Sequence, residues 1–526
     1  MIFKSKRLLA IAATFTFMLI CSIFLVACQQ GEEKKNIELL YNGDHYIFAV
    51  NDNNTFSIEY ADDLSLNVSD FQVKVNLEES GNSFVLPVTD SDISFAVYSV
   101  STTPDGEQQE LFDTTQNVQI GTYIVEYAYK NFYKESLRIV VDKFFPVMTI
   151  ETENRSSIES KETYLTCLID ISNTESAYAL SSESARIRGR GNSTWGMPKK
   201  PYKIKFDSKV NLFGFGKAKE YTLIANYCDK SLSRNLFALE IANMIGIDGT
   251  SSAQPINLYL NGTYQGVYLL CEQNEAGTNR VNIDTSLDQV DTGYLLELDA
   301  YAVNEGIENI DYFLINSVPY AIKEPSTSKE EFTQEHVSFI KDYLTDVYNS
   351  LGQDSYEDIA FQIDMESFAK CYIVHELFSC VDIGYSSFYM YKVGGGKLYA
   401  GPVWDFDISS GNCNYVAEVN DAQKLFAKTR NPWYNKLFTY SEFAALVKSI
   451  LQEYSDQIND KIEELTAYQL EHKFNNEKNF DAWSILTIYV YTNPSAILAI
   501  KTFEGQLLFL QNWLQQKLAF MIASYS

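Results

Sequence analysis

Positive charge is scarce in this 526-residue chain: 41 lysines and arginines stand against 69 aspartates and glutamates, a formal net charge of −28. That balance argues against nucleic acid as a partner, because neutralising phosphates needs a basic face. A basic or neutral partner suits it better. No CxxC pair and no Cys/His cluster occurs, so a zinc site lacks its ligand pattern. Neither a Walker A motif nor the dinucleotide GxGxxG is present. What the chain does have is 46% hydrophobic and 14% aromatic residues, enough to bury large cores and to exclude a disordered polymer. At roughly 150 residues per domain the length predicts two to four domains.

The N-terminus has the grammar of an export signal. Lys4, Lys6 and Arg7 precede an apolar run from Leu8 to Ala27, and Leu25-Val26-Ala27-Cys28 is followed by the polar Gln29-Gln30-Gly31-Glu32-Glu33-Lys34-Lys35. Small residues before a cysteine, then a hydrophilic stretch, resemble the lipobox of bacterial lipoproteins. On that resemblance residues 1–27 are cleaved, Cys28 carries the lipid, 28–36 is a tether, and the protein is anchored on the extracytoplasmic face of the cell membrane. An uncleaved anchor is the alternative, since about 20 apolar residues span a bilayer. Cys167, Cys228, Cys271, Cys371, Cys380 and Cys413 remain, and are read as buried apolar residues rather than disulfides.

Residues 37–143 show short runs of partial period-2 alternation, such as Phe71 to Leu77 and Gly121 to Tyr129, separated by Asn-Gly, Gly-Asn and Pro-Asp-Gly turn signals. This pattern predicts an all-β, immunoglobulin-like sandwich serving as a spacer or adhesion module. From Pro146 the pattern becomes mixed and predicts an α+β domain over 146–526 with a helical C-terminal part. Within it, Asp229-Lys230-Ser231 precede an amphipathic helix ending near Gly246. Pro255 to Leu260, Asn261-Gly262 and Tyr264 to Glu272 read as a hairpin. Asp364 is expected to cap a helix with Phe368, Tyr372, His375 and Phe378 on one face, ending near Asp382.

The densest polar stretch is Arg186-Ile187-Arg188-Gly189-Arg190-Gly191-Asn192-Ser193-Thr194-Trp195, followed by Lys199-Lys200-Pro201-Tyr202-Lys203. Glycines allow backbone N–H groups to approach phosphate, and the following lysines supply cationic donors. A basic surface hairpin is the other reading. Arg234 beside an apolar helix face needs an anionic partner, either a structural carboxylate or a phosphate. Trp404-Asp405-Phe406-Asp407 is expected to close a strand, with alternation placing both carboxylates on one face, where hard oxygens suit Mg²⁺ or Mn²⁺. Trp404 and Phe406 would anchor it in the core. Asp382 follows a buried helix and precedes a hairpin leading to Asp405, the order in which protein kinases carry a catalytic and then a metal-binding aspartate. His375 reads as a core histidine.

These motifs together, with Asn261-Gly262-Thr263-Tyr264-Gln265-Gly266-Val267-Tyr268-Leu269-Leu270-Cys271-Glu272, resemble the CotH (spore coat protein H) kinase family in kind and in order. The resemblance implies an atypical, two-lobed protein-kinase-like domain that binds ATP with Mg²⁺ or Mn²⁺ and phosphorylates serines of a protein substrate. Carried over residue by residue, Asp382 is the catalytic aspartate, and Asp405 holds the metal with Asp407 in support. Gly189, Gly191, Lys200, Arg234, Asn235 and Glu272 serve the nucleotide, with Glu272 orienting either Lys200 or the nucleotide itself. Ser387 stands where family members often carry an asparagine as second metal ligand. That departure keeps open a nucleotide-binding pseudokinase acting as a surface adhesin or scaffold. A glycosidase reading could recruit Asp405 and Asp407 as paired acids, yet leaves the glycine-rich turn and Arg234 without a role.

Overall fold

Alternation at Phe71–Leu77 buries Phe71, Val73 and Val75 and turns Gln72, Lys74 and Asn76 outward, as a half-buried strand requires. The computed structural model describes residues 19–20, 35–41, 47–48, 55–59, 64, 66–77, 81–103, 106–131 and 133–525. It divides into two compact units, Met1–Phe144 and Phe145–Ser526. Cys28 and, but for residues 19–20, the signal segment lie outside the described residues. The first unit is sheet-rich. Lys35–Tyr41 pairs with Phe71–Leu77, which pairs with Ser83–Pro87. A second sheet runs in the order Ile47–Phe48, Thr55–Glu59, Tyr133–Asp142, Gly121–Tyr129, Ile93–Thr103, Gly106–Leu111. Both sheets feed one apolar core, Leu39, Phe71 and Val73 from the first and Val97, Val125 and Ile139 from the second. The expected tether, 28–36, is shorter at its far end, because Lys35 and Asn36 already pair with Leu77 and Asn76.

The second unit opens with a closed seven-stranded barrel. In order around it are Val147–Thr152, Leu165–Ser172, Leu180–Gly189, Tyr202–Asn211, Lys217–Ile224, Thr263–Glu272 and Ala253–Leu260. Antiparallel pairing holds everywhere except at the closure, where Val147–Thr152 runs parallel to Ala253–Leu260. Ile169, Ile187, Ile204, Leu223, Ile256 and Tyr268 fill the interior. Asn261 and Gly262 both adopt positive φ, 51° and 81°, which matches a hairpin turn to strand twist. Helix Arg234–Met244 lies in the chain between Lys217–Ile224 and Ala253–Leu260 and buries Phe237 and Ile241 in the unit's larger core.

That larger core belongs to a five-stranded antiparallel sheet and the helices over it. The sheet order is Tyr312–Ile315, Val318–Glu324, Tyr294–Leu298, Phe388–Lys392, Leu398–Ala400. Helix Met365–Phe378 starts at Asp364, whose carboxylate accepts the Ser367 N–H at 2.8 Å, and stops at the left-handed Ser379. Phe368, Tyr372, His375 and Phe378 are buried, but so are Cys371 and Val374, so from Cys371 onward the helix is enclosed on all sides instead of presenting one apolar face. The short 3-10 turn Val381–Gly384 follows at once and carries Asp382.

Candidate active site

A cleft of about 370 Å³ in the second unit is lined by the turn Arg190 to Thr194 and, from the sheet-and-helix part, by Asp382, Ser386, Ser387, Tyr389, Asp405 and Asp407. Three carboxylates meet there for local reasons. Asp382 is set by the stop at Ser379 and the tight turn after it. Asp405 and Asp407 lie beyond the last strand in irregular backbone, and Asp405 is left-handed at φ 67°. The expected strand alternation is therefore not what aligns them. Phe406 packs between His375 and Phe378, ring centroids 5.3 Å from each. Its N–H donates to the Asn235 side-chain oxygen at 2.8 Å, while the Asn235 amide donates to Asn226. Trp404 is buried in the same core as Phe406, as expected, and its ring also lines the cleft, with the Arg190 guanidinium over it.

Burial and mutual repulsion dominate the electrostatics. Burial, and then the neighbouring Asp405, push Asp382 up to about 7. Burial, and then Asp407, push Asp405 up to about 8, with Arg190 pulling the other way. Asp407 is raised by burial, although the Cys228 thiol donates to its carboxylate at 3.1 Å. Among the described residues no three His, Cys, Asp or Glu side chains form a cage for an ion by themselves. Asp405 and Asp407 do lie within hydrogen-bonding reach of each other. That pair is the donor set of a hard dication held by one or two carboxylates and completed by phosphate oxygens and water. The residues fit such an ion, which would also relieve the repulsion between them.

Several residues expected at the nucleotide are held elsewhere. Arg234 is wholly buried, paired with Asp229 and donating to the carbonyls of Ser409 and Ser410, so its anionic partner is a structural carboxylate. The Asp229 carboxylate also accepts the N–H groups of Ser231, Ser233 and Arg234, ordering the turn into that helix. Lys200 donates to the Trp195 carbonyl at 2.7 Å and lies over the Trp195 ring, away from the cleft. Glu272 is paired with Arg280 and accepts the Ser252 N–H, so it orients no lysine. Gly189 gives the Trp195 ring its place, which a Cβ would fill, and its N–H bonds to Ser160 inside the fold. Gly191 does line the cleft, at φ 84°. Ser387 lines it too, with left-handed backbone and its N–H donated to Glu297. Asn235 stands behind the cleft and positions the acidic segment.

The cations at the cleft are others. Lys199 is buried, donating to the Val267 carbonyl and to Asn479, with no carboxylate bonded to it, and burial holds its amine well below the ordinary lysine range. Lys323 pairs with Glu297 at 3.0 Å, and that carboxylate holds its amine above the ordinary range. Arg190, in the glycine-rich turn, completes the set. Glu297 had a readable signal: it is a charge inside a strand otherwise apolar, Tyr294-Leu295-Leu296-Glu297-Leu298, whereas Lys323 lies at the end of its strand beside Glu324. Burying a charge is costly without a partner, so that strand alone calls for a cation nearby. The six cysteines described are free and buried.

A comparison with curated proteins finds no match. A family model described as CotH kinase protein matches residues 187–521, more than half of the chain and the stretch that holds the whole cleft, and the chain belongs to the CotH family.

Proposed function

We propose that the chain is an extracytoplasmic, lipid-anchored CotH-type protein kinase that transfers the γ-phosphate of ATP to a serine of a protein substrate. The observation that carries this reading is the convergence of Asp382, Asp405 and Asp407 on one cleft, facing the glycine-rich turn at Arg190 and Gly191. In this reading the barrel and the sheet-and-helix part act as the two lobes of an atypical kinase. Asp382 accepts the proton of the acceptor hydroxyl; a carboxyl near pH 7 is matched to that task at neutral pH. Asp405 and Asp407 hold Mg²⁺ or Mn²⁺, with Ser387 at the second metal position. When bound, the ion supplies charge neutralisation along the transferring phosphates. Arg190 and Lys323 are the cationic groups available to those phosphates, and the Gly191 backbone lets them approach closely.

The N-terminal unit then serves as an immunoglobulin-like spacer between the lipid on Cys28 and the kinase unit, and the acidic chain favours a basic or neutral protein substrate. A second reading rests on Ser387, a weaker metal ligand than the asparagine of many relatives: a nucleotide-binding scaffold without turnover. Incubating the purified chain with ATP and Mg²⁺ or Mn²⁺ and mapping phosphate by mass spectrometry decides between them. Phosphoserine on the chain supports the kinase, nucleotide binding without phosphate transfer supports the scaffold, and no nucleotide binding with either ion overturns both.

A further inference from the structure

Residues 483–494 run as irregular backbone between helices Lys473–Ala482 and Ser495–Ala499, yet both ends of the stretch are tied to the acidic segment of the cleft. At one end the buried Lys230 amine donates to the carbonyls of Ile485, Leu486 and Ile488 at 2.6, 3.2 and 2.6 Å. At the other, the Asn493 amide donates to the Cys228 carbonyl and to the Asn412 side-chain oxygen, both at 2.7 Å. The Thr492 hydroxyl donates to the Asn412 carbonyl at 3.0 Å. Asn412 carries the connection onward: its amide donates to the Asp407 carbonyl at 2.9 Å and to the Cys228 carbonyl at 3.1 Å. Cys228 and Asp407 are themselves joined through the thiol and the carboxylate. All five residues are buried, and Thr492 and its neighbour Tyr491 line the cleft.

Packing alone does not ask for this network. A buried amide serves stability best when all its groups are satisfied, and the Asn493 side-chain oxygen has no hydrogen-bond partner among the described residues. An apolar side chain of similar size would avoid that loss. What Asn493 does supply is one nitrogen with two donations, which lock the Cys228 carbonyl and, through Asn412, the backbone of Asp407. That backbone needs holding. Asp407 lies in irregular chain two residues beyond the left-handed Asp405, with no strand ladder to fix where its carboxylate points. A carboxylate that binds a dication depends on such hydrogen bonds behind it for its orientation.

We infer that Asn412, Thr492 and Asn493 are positioning residues for Asp407, and that Lys230 holds the stretch from which two of them act. The inference rests on Asp405 and Asp407 holding the ion, as proposed above, and it is tested on ion binding, apart from phosphate transfer. Mn²⁺ is titrated into the full chain at pH 7 without nucleotide and followed by paramagnetic resonance, with Asp405→Asn as the control for the acidic pair. Asn493→Asp and Lys230→Met are the deciding variants, because electrostatics alone would move both the other way. One adds an acid and the other removes a cation, and each change favours a dication. Each is expected instead to lose Mn²⁺ affinity by about tenfold or more. Thr492→Val, which loses the hydroxyl at nearly constant shape, should also bind more weakly, and Thr492→Ser, which keeps it, should stay at the wild-type level. Near-ultraviolet circular dichroism checks that each variant is folded; should Asn493→Asp not fold, Lys230→Met and the Thr492 pair decide. Affinity unchanged or raised in the folded variants, Thr492→Ser as weak as Thr492→Val, or no wild-type Mn²⁺ site that Asp405→Asn removes overturns the assignment. The expected losses in a chain that transfers no phosphate support the assignment and count against turnover alone.

Discussion

The side-chain oxygen of Asn235, at the start of one helix, accepts the backbone N–H of Phe406, the residue between Asp405 and Asp407 of the cleft, at 2.8 Å. A group 171 residues away in the chain thus sets the backbone that aims Asp405 and Asp407. Asn235→Ala leaves the Phe406 N–H buried without an acceptor, a loss of about 1–3 kcal/mol. Lower thermal stability and weaker Mn²⁺ binding, followed by paramagnetic resonance, are expected together. Asn235→Asp keeps an acceptor oxygen but gives up the donation to Asn226, and should fall between the two.

The motif order was legible without coordinates because chain order and residue type suffice to place a buried helix, a following aspartate and a pair of acids. Hairpin Ala253–Leu260 with Thr263–Glu272 was legible for the same reason, since Asn261-Gly262 encodes its own turn. Which way a long cation points was not. Lys199 and Lys200 are adjacent and chemically identical; the barrel turns one toward the cleft and lays the other over Trp195. Closure of the barrel by Val147–Thr152 against Ala253–Leu260 joins segments about a hundred residues apart, and no local period encodes such a pairing.

Arg234 and Asp229 are both fully buried and paired. Removing the guanidinium strands a carboxylate in the core, so Arg234→Ala should destabilise the protein by about 3–5 kcal/mol. Denaturant unfolding followed by fluorescence measures it. Nucleotide affinity of the folded fraction is expected to hold, whereas a phosphate-binding arginine would lose affinity first.

His375 is enclosed on its helix, with its ring stacked on Phe406 and its Nδ1 without a partner. Burial pulls its imidazole down to about 3 from an ordinary 6.5. The sign follows: the unfolded chain takes up a proton below about 6.5 that the folded chain refuses until about 3. Its share of stability is whole above 6.5 and drains away between those values, by ~5 kcal/mol at most. The raised carboxyls of Asp382 and Asp405 act the other way over this range, so the His375 share is read by difference: from pH 7 to pH 4 the His375→Phe variant should gain stability relative to the wild type, even if the two differ at pH 7.

Asp382 and Asp405 share one cleft but have different tasks in the proposed reaction, and single substitutions separate them. Asp405→Asn replaces an anionic oxygen beside a dication with a neutral amide, so metal-dependent nucleotide binding and turnover should fall together. Asp382→Asn removes the proton acceptor and leaves the metal pair intact. Its nucleotide affinity should stay within about tenfold, roughly 1.4 kcal/mol, while turnover drops by about 10²-fold or more. Lys200→Ala, turned toward Trp195, should leave affinity near wild type. Ser387→Asn tests the second metal position. The backbone there is left-handed at φ 60°, a region asparagine tolerates better than most residues, so the exchange fits without strain. A fixed amide oxygen in place of a rotating hydroxyl should raise metal affinity or turnover. Calorimetry with ATP and a labelled-phosphate transfer assay across the four variants provides the measurements. Equal loss of nucleotide binding in Asp382→Asn and Asp405→Asn would remove the division of labour, because both carboxylates would then be serving the ion.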